Sequence, residues 1–516
     1  MIYGDFNASE KAILESLLTE EEKEFINKTA PEWSNMEKKA PLYPAYHFTS
    51  PHGFLNDPNG LCYWKGYWHL FYQNYLGKVW MWSHAVSRDL VHWKHLPRAI
   101  LPEIEKDCYS GMVLIEEDRA IAAYYGVDAG IMIAVATDPF LVRWEKINGG
   151  HPVIPSTPKE SGCGYEIYDP CLWKNGDTYC LISGRYTLNE HTKTKERQGF
   201  LFESTDLVHW EFKGNFLEND IFAHPNDDLA CPYFLPCGDK HLLFHFSHHS
   251  GPKMLVGNYD RARNKFTVTG GKHLTSSVSH IGGLLAPSMF PDPSADGTLK
   301  AIYNVYGVQG APEGYYNNSI MSLPRQISLS ADDSNDIDVE PAKELELLRV
   351  PESRVLKTDL LLRANETYEP EDIRGNTLEL IAEFEPQSTS FIEVRVMMSD
   401  DEKEYSAIRI YRNRGFGFSS SNKSTETRET VVQLDTAYSS EKAVIRLPDE
   451  QRFFMKPCDK MNLRIFLDNG IIEVFVNGKV ALTARVAPTK AGKRISFVSR
   501  GKDIMLEKLE AYQLSL

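Results

Sequence analysis

The sequence predicts an all-β protein: a β-propeller, then a C-terminal β-sandwich, with a short helical extension at the N-terminus. Between about residues 45 and 340, short aromatic or β-branched runs alternate with turn residues, and helical periodicity is absent. A tryptophan-containing marker recurs in this region at the spacing of propeller blades. After about residue 375 strands return without tryptophan, since all nine tryptophans lie before residue 211. We therefore expect an extension over residues 1–40, a propeller over 41–340 and a sandwich over 341–516.

The N-terminal extension has a helical pattern over residues 9–29. Ser9 is the candidate N-cap, and four apolar side chains form one stripe: Ile13, Leu14, Leu17 and Leu18. The charged stretch Glu20–Glu24 follows. We expect this extension to pack on the main domain or on a second subunit of a homo-oligomer, and we assign it no chemistry.

The recurring marker is the string Asp-Leu-Val-His-Trp, which stands at residues 89–93 and again at 206–210. A partial copy with Asp138 and Trp144 lies between them. The marker tryptophans are 51 and 66 residues apart, which leaves room for about four strands in each repeat. Repeats of that length indicate propeller blades, because chance placement does not explain two copies of the same five residues.

The C-terminal strands carry the strongest hairpin signals in the chain. Residues 463–467, 471–476 and 480–486 alternate between apolar and polar side chains. They are separated by Asp468-Asn469-Gly470 and Asn477-Gly478, which favour tight turns between antiparallel strands. This pattern is typical of a β-sandwich. An acidic, irregular stretch over residues 330–350 is the expected connection to the propeller.

Composition excludes several classes of partner. The net charge of −15 argues against nucleic acid or an anionic membrane, and no stretch approaches 18 apolar residues. The first ten residues lack the features of a secretory signal. None of the eight cysteines forms a Cys-x-x-Cys pair, so we expect them reduced and mostly buried in a cytoplasmic protein. A mature secreted form is the alternative.

The most informative local segment is His52 to Gly60, which contains one carboxylate between two amides. Asp57 precedes Pro58, whose ring fixes φ, and Asn59-Gly60 suits a tight turn. We expect Asp57 to be held rigidly where an extended segment ends. A reactive carboxylate needs such a seat, because small displacements cost large factors in rate.

Two motifs in this region resemble glycoside hydrolase family 32, the invertase, inulinase and levanase group. That family opens its catalytic domain with Asn-Asp-Pro-Asn-Gly and a following His-Leu-Phe-Tyr-Gln strand, which stand here at residues 56–60 and 69–73. The resemblance implies a five-bladed propeller around a funnel-shaped site and a fructoside as the carbohydrate substrate. Retaining hydrolysis needs two carboxyl groups about 5–5.5 Å apart, one a nucleophile and one a proton donor, and no cofactor.

The resemblance also implies roles for individual residues. Asp57 matches the nucleophile, and Asp169, in an Asp-Pro pair, matches the transition-state stabiliser. Asn56 and Gln73 carry amides suited to fructose hydroxyls, and Ser110 matches a serine of the family's site.

Three aromatic residues complete the expected fructose-binding subsite. Trp80 and Trp82 are candidates for an aromatic wall against sugar C–H faces, although core packing is the common role of any single tryptophan. Tyr168 replaces an arginine of the family pattern, so the hydroxyl pattern that this subsite reads is in doubt. Arg185 is a candidate to supply the missing guanidinium from another strand.

The acid/base position departs from the family. The family has Glu-Cys-Pro, and here Cys231-Pro232 align, with Cys231 a substrate-binding candidate, but Ala230 stands in place of the glutamate. A methyl group cannot protonate a leaving oxygen. Either the chain is an engineered glutamate-to-alanine variant or it is a natural pseudoenzyme, and the intact surrounding motifs favour the first. Asp228 is displaced by roughly 6–7 Å along a strand, too far to substitute directly.

We therefore expect a retaining β-fructofuranosidase of sucrose or short fructo-oligosaccharides, impaired at Ala230. A carbohydrate-binding pseudoenzyme and a fructosyltransferase of the same fold are the alternatives. No metal site is expected: four histidines cluster in sequence, and an alternating strand with surface histidines explains them without zinc. They are His241, His245, His248 and His249.

Overall fold

The computed structural model of the chain describes residues 6–24, 38–156, 165–189, 191–224, 227–275, 283–386, 391–412, 428–442, 449–455 and 459–516. These residues form five sheets up to Pro341, followed by two six-stranded sheets. The all-β prediction of a propeller followed by a sandwich is confirmed.

Each of the five sheets is one blade, built from strands that follow one another along the chain. Blade I consists of β1 (Phe54–Trp64), β2 (Tyr67–Leu76), β3 (Val79–Ser87) and β4 (Trp93–Ile100). Blade II consists of β5 (Cys108–Ile115), β6 (Ala120–Gly126), β7 (Gly130–Ala136), β8 (Glu145–Lys146) and β9 (Ile154–Pro155). Blade III consists of β10 (Pro170–Asn175), β11 (Thr178–Leu188), β12 (Lys195–Ser204) and β13 (Glu211–Asn215). Blade IV consists of β14 (Leu217–Glu218), β15 (Ala230–Cys237), β16 (Lys240–Phe246), β17 (Lys253–Asp260) and β18 (Lys265–His273). Blade V consists of β19 (Leu284–Pro291), β20 (Thr298–Val305), β21 (Ile320–Met321), β22 (Arg325–Leu329) and β23 (Ile337–Pro341).

The innermost strands of the blades form a closed ring. Strand β1 contacts β5, β5 contacts β10, β10 contacts β15, β15 contacts β19, and β19 returns to β1. Closure of this kind leaves no long sheet edge at the axis. It also brings the first residues of five strands together at one end of the ring.

The recurring marker forms the same turn in blades I, II and III. In each copy the tryptophan indole N–H donates to the carbonyl oxygen of the leucine three residues earlier, at 2.8–2.9 Å. Those leucines, Leu90, Leu141 and Leu207, all have positive φ. The marker aspartate accepts backbone N–H groups of the following residues. The repeat is therefore a turn leading to the outermost strand of a blade, which explains why the sequence marks blades so clearly.

The two sandwich sheets pack through an apolar core of their own. One sheet has the order β24 (Val355–Leu362), β35 (Ile504–Gln513), β26 (Thr377–Phe384), β31 (Met461–Asp468), β32 (Ile471–Val476) and β33 (Val480–Arg485). The other has the order β25 (Thr367–Tyr368), β34 (Arg494–Arg500), β27 (Phe391–Met398), β28 (Ser406–Arg412), β29 (Arg428–Asp435) and β30 (Asp449–Met455). Both predicted hairpin turns are present, with Asn469 and Asn477 at positive φ. Short 3₁₀ helices span Asn148–Gly150, Lys343–Leu348 and Pro351–Ser353.

A buried polar network joins the propeller to the sandwich. Glu473 of β32 contacts the Arg325 guanidinium at 3.0 Å and accepts the Leu323 N–H at 2.7 Å. His47, which precedes β1, contacts Glu473 and also lies 2.8 Å from Asp468. Burial opposes charge on His47, but the hydrogen bonds to both carboxylates raise its pKa to about 9. The junction is therefore an ion-pair network inside the protein.

The N-terminal extension packs on the propeller. Helix α1 (Ala8–Leu17) buries Leu14 among side chains of blades I and II, and α2 (Glu20–Glu24) follows it. Asn7, not Ser9, caps α1, because its side chain and Glu10 form a reciprocal capping box. The predicted helix over 9–29 is broken after Leu17, and residues 25–29 lie outside the described residues. No helix in the described part of the chain is long and apolar enough to cross a membrane.

Candidate active site

Asp57 lies within strand β1, and not after the end of a strand. The predicted turn at Asn59-Gly60 is wrong: both residues belong to β1, which instead has irregularities between Leu55 and Pro58 and between Asn59 and Cys62. Gly60 has φ +52, and a Cβ on it would meet Val113 at 2.5 Å. Bulges re-aim side chains while the flanking ladder keeps the backbone rigid.

A chain of hydrogen bonds fixes the Asp57 carboxylate. Ser110, on β5, donates its hydroxyl to Asp57 Oδ2 at 2.7 Å and accepts Gln73 Nε2 at 2.7 Å. Asn56 donates to Gln73 Oε1 at 2.8 Å. Burial raises the pKa of Asp57, and the hydrogen bonds from Ser110 and Asn304 oppose that rise. The structure therefore brings Asn56, Asp57, Gln73 and Ser110 together, as the sequence predicted.

Asn304 is a site residue that sequence reasoning missed. It lies at the end of β20 and donates to Asn56 Oδ1 at 2.9 Å and to Asp57 Oδ1 at 3.5 Å. Its own Oδ1 is buried with no hydrogen-bond partner in the described part of the chain. A single asparagine within the largely apolar run Ala301–Val305 was the available signal, because a buried amide needs partners.

Asp169 lies immediately before β10 and shares a neighbour with Asp57. The Cys231 sulfur is 3.4 Å from Asp169 Oδ2 and 3.7 Å from Asp57 Oδ2, and the Cys231 backbone N–H donates to Asp169 Oδ2 at 3.0 Å. Asp169 is 3% exposed. Burial and the nearby Asp57 charge raise its pKa to about 7, although the Cys231 contacts oppose the rise. Its Oδ1 has no partner among the described residues.

Ala230 begins β15 and immediately precedes Cys231, which contacts both carboxylates. It is buried with Phe246, Leu285 and Ala286. The residues on either side of it, Leu229 and Cys231, both have positive φ, at 51° and 48°. Backbone strain of this kind in residues other than glycine concentrates at functional positions.

The two predicted wall tryptophans have different surroundings. Trp80 is partly exposed and its ring packs against Phe54 and Tyr75. Trp82 is 0% exposed, and its indole N–H donates to the Tyr109 carbonyl at 2.8 Å. Trp82 is therefore a core residue, and the expectation that it contacts sugar is wrong, since its side chain is fully buried among Cys62, Phe71 and Tyr124.

Tyr168 belongs to a cluster of aromatic rings beside Asp169. Its ring centroid is 4.9 Å from Tyr125 and 6.5 Å from Tyr109, and the Arg185 guanidinium carbon lies 5.5 Å from it. Arg185 in turn contacts Glu166 at 2.6 Å. The guanidinium thus lies next to the tyrosine that replaces the family arginine.

His248 and Asp228 form an imidazole–carboxylate pair beyond the start of β15. His248 Nδ1 is 2.6 Å from Asp228 Oδ2, and the His248 N–H donates to Asp228 Oδ1 at 3.1 Å. The expectation of surface histidines on one strand is wrong for His245, which is fully buried in β16. Within the described residues, no group of histidine, cysteine or carboxylate side chains has the geometry of a metal site. The six cysteines that the structure describes are free and buried, while Cys163 and Cys458 lie outside the described residues.

Both the propeller and the sandwich match known protein domains, and the two domains belong to the same family. Residues 47–341 match the glycosyl hydrolases family 32 N-terminal domain, and residues 344–513 match the family 32 C-terminal region. A sucrose-6-phosphate hydrolase of Zymomonas mobilis is 26% identical over 87% of this chain and 87% of its own length. A fructan 6-exohydrolase of Beta vulgaris is 23% identical over 92% of this chain and 87% of its own length. The solved structure of a fructan 1-exohydrolase IIa variant from Cichorium intybus in complex with 1-kestose has a TM-score of 0.76 at 21% identity, covering 92% of this chain and 98% of that one.

Proposed function

The chain belongs to glycosyl hydrolase family 32, and on that basis we propose that it is a retaining β-fructofuranosidase acting on terminal β-fructosyl linkages. The observation that carries the proposal is the convergence of Asp57 and Asp169 on the Cys231 sulfur. Two carboxylates from different blades that face one small volume suit capture of an oxocarbenium-like centre.

Asp57 is the proposed nucleophile. Its Oδ2 accepts a short hydrogen bond from Ser110, which favours the ionised form that attack requires. Asp57 attacks the anomeric C2 of the fructosyl group, the glycosidic oxygen departs, and water later displaces the carboxylate with net retention.

Asp169 is the proposed partner for the fructose ring. Its buried Oδ1 offers an acceptor that no described residue uses, as does Asn304 Oδ1. Ring hydroxyls of a bound fructosyl group would satisfy both atoms, and buried acceptors gain most when they are paired. The proposed further binding residues belong to the same group of contacts around the two carboxylates: Asn56, Gln73, Ser110 and Cys231.

Ala230 occupies the proposed acid/base position. Loss of general acid help costs on the order of 10²–10⁴ in rate. A chain with no other proton donor would turn over sucrose slowly, because the alkoxide leaving group of sucrose needs a proton.

Sucrose or a short fructo-oligosaccharide is the proposed substrate. The names of the relatives support this class, since they include a sucrose-6-phosphate hydrolase, a fructan 6-exohydrolase and a complex with 1-kestose. Tyr168 and the neighbouring Arg185 are the residues that we expect to set preference within it.

The test is restoration of the missing carboxyl group. Ala230→Glu should hydrolyse sucrose at least as fast as the unmodified chain, with β-fructose as the first product seen by NMR. Adding Asp57→Ala to this variant should abolish turnover, whereas Asp206→Ala, in a surface turn of blade III, should not. An Ala230→Glu protein inert on sucrose, 1-kestose and levan-type oligosaccharides would refute the proposed function.

A carbohydrate-binding protein without turnover is the second candidate, and Ala230 is the observation that favours it. It predicts saturable binding of 1-kestose by calorimetry, with no fructose released by the unmodified chain above the level of its Asp57→Ala variant.

A further inference from the structure

Asp228 and His248 lie just outside the paired parts of β15 and β16. Ala230 pairs with Phe246, and the His248 N–H donates to the Asp228 carboxylate. Phe246 packs with Ala230 and Cys231 in one buried cluster, and its ring contacts the His248 imidazole. The imidazole thus lies next to the strand pair at which the acid/base carboxyl is expected.

The Asp228 carboxylate holds this imidazole from one side. Asp228 is largely buried, with 17% of its side chain exposed, while 48% of the His248 side chain is exposed. The Phe246 ring packs against the imidazole with its centroid 5.1 Å away. With Nδ1 bound to Asp228, Nε2 is the ring nitrogen that exchanges a proton, as in other carboxylate–histidine pairs.

Three carboxylates from three elements act on His248. Asp228 precedes β15, Asp169 precedes β10 and Asp57 lies on β1, and all three favour the charged imidazole. The hydrogen bond to Asp228 raises the pKa of His248 most, and partial burial opposes the rise. The three carboxylates therefore favour the charged imidazolium form of His248.

We propose that His248, positioned by Asp228, serves as the general acid and base of this chain in place of the carboxyl group that Ala230 lacks. This proposal rests on the proposed fructosidase function and deepens it. On this proposal, Ala230 does not mark a loss of activity, because another side chain has taken over proton donation.

The proposed reaction balances without a co-reactant other than water. In the first step Asp57 forms a bond to fructosyl C2, the C2–O bond to the leaving group breaks, and the leaving oxygen takes the proton from His248 Nε2. In the second step neutral His248 takes a proton from water, the water oxygen attacks C2, and the Asp57 carboxylate departs. His248 ends the cycle protonated, and fructose is released.

Two substrates separate proton donation from every other role. The leaving group of sucrose is a sugar alkoxide, which needs a proton from an acid. The leaving group of p-nitrophenyl β-fructofuranoside is a stable phenolate, which needs little protonation. His248→Gln in the full-length chain should lower kcat/KM for sucrose by about 10²–10⁴ and leave the aryl substrate nearly unchanged. His209→Gln is the matched control, because His209 forms the same pair with Asp206, at 2.7 Å, in a surface turn of blade III. His209→Gln should leave kcat/KM unchanged for both substrates.

Asp228→Asn tests the positioning role through the pH profile. Removing the carboxylate lowers the pKa of His248, so the fall of sucrose turnover on the alkaline side should move to lower pH. The histidine proposal is overturned if His248→Gln leaves sucrose turnover intact, if both substrates lose activity equally, or if the unmodified chain releases no fructose while Ala230→Glu does. In the last case the fructosidase function stands, whereas an inert Ala230→Glu protein refutes that function itself.

Discussion

Removing the Ser110 hydroxyl should move the acidic limb of the pH profile to higher pH. Ser110 donates to Asp57 Oδ2 at 2.7 Å, and this bond favours the ionised carboxylate. A hydrogen bond to a charged group is worth about 1.5–3 kcal/mol, and one pKa unit corresponds to about 1.4 kcal/mol. Ser110→Ala, made in the Ala230→Glu chain, should therefore raise the pKa of Asp57 by about 1–2 units.

The assay is kcat/KM for sucrose across the acidic range, since its acidic limb reports the essential base of the free enzyme. A raised pKa means that Asp57 is protonated over more of that range, so activity begins at higher pH. Ser204→Ala is the matched control, because Ser204 donates to Asp206 in a turn of blade III. A limb that stays in place, or moves to lower pH, would refute the assignment of Asp57 as the group that must be ionised.

Three further predictions concern the framework of the site. The pKa of His47 is raised to about 9 in the folded protein, so its contribution to stability is complete below the unfolded pKa of about 6.5 and is lost as the pH rises through 9. Urea unfolding between these pH values should show the free energy of unfolding falling, and in His47→Gln this pH dependence should be smaller. Arg325→Met removes one of the two cationic side chains that contact the buried Glu473 carboxylate, the other being His47, and should lower the free energy of unfolding by up to about 3–5 kcal/mol, with part regained in a double variant carrying Glu473→Gln. Gly184→Ala places a Cβ 2.4 Å from Leu229, the residue before Ala230, whereas a Cβ at Gly199, which pairs with Gly184, meets nothing closer than 3.5 Å. Gly184→Ala should therefore lower the free energy of unfolding and the activity of the Ala230→Glu chain, and Gly199→Ala should not. Equal effects of the two substitutions would contradict the close packing at Leu229.

The fold was predictable because its signals are local. The marker Asp-Leu-Val-His-Trp encodes a turn held by its own side chains, and Asn-Gly encodes a hairpin without tertiary help. The carboxylates Asp57 and Asp169 and the polar residues around them were predictable as well, since each lies in a short motif that carries its own context.

Other features depended on contacts that no local pattern records. The segment of Asp57 reads as a turn, but pairing with β2 forces it into a bulged strand. Trp80 and Trp82 are equivalent in sequence, and only the neighbouring blade decides that Trp82 is buried. His248 is positioned by a side-chain contact with Asp228, 20 residues earlier in the chain.

The contact between the N-terminal segment and Asp468 has a consequence for synthesis of the protein. Asp468 accepts the backbone N–H groups of Ala45, Tyr46 and His47, more than 420 residues earlier. During synthesis, residues 45–47 leave the ribosome long before Asp468, which binds them, has been made. Domains that fold during synthesis generally do so from the N-terminus. In this chain, the contact that holds the segment before blade I forms only after β31, which ends at Asp468, has been made. Nascent chains halted before Asp468 should therefore remain sensitive to protease at residues 38–50, even after all five blades have left the tunnel.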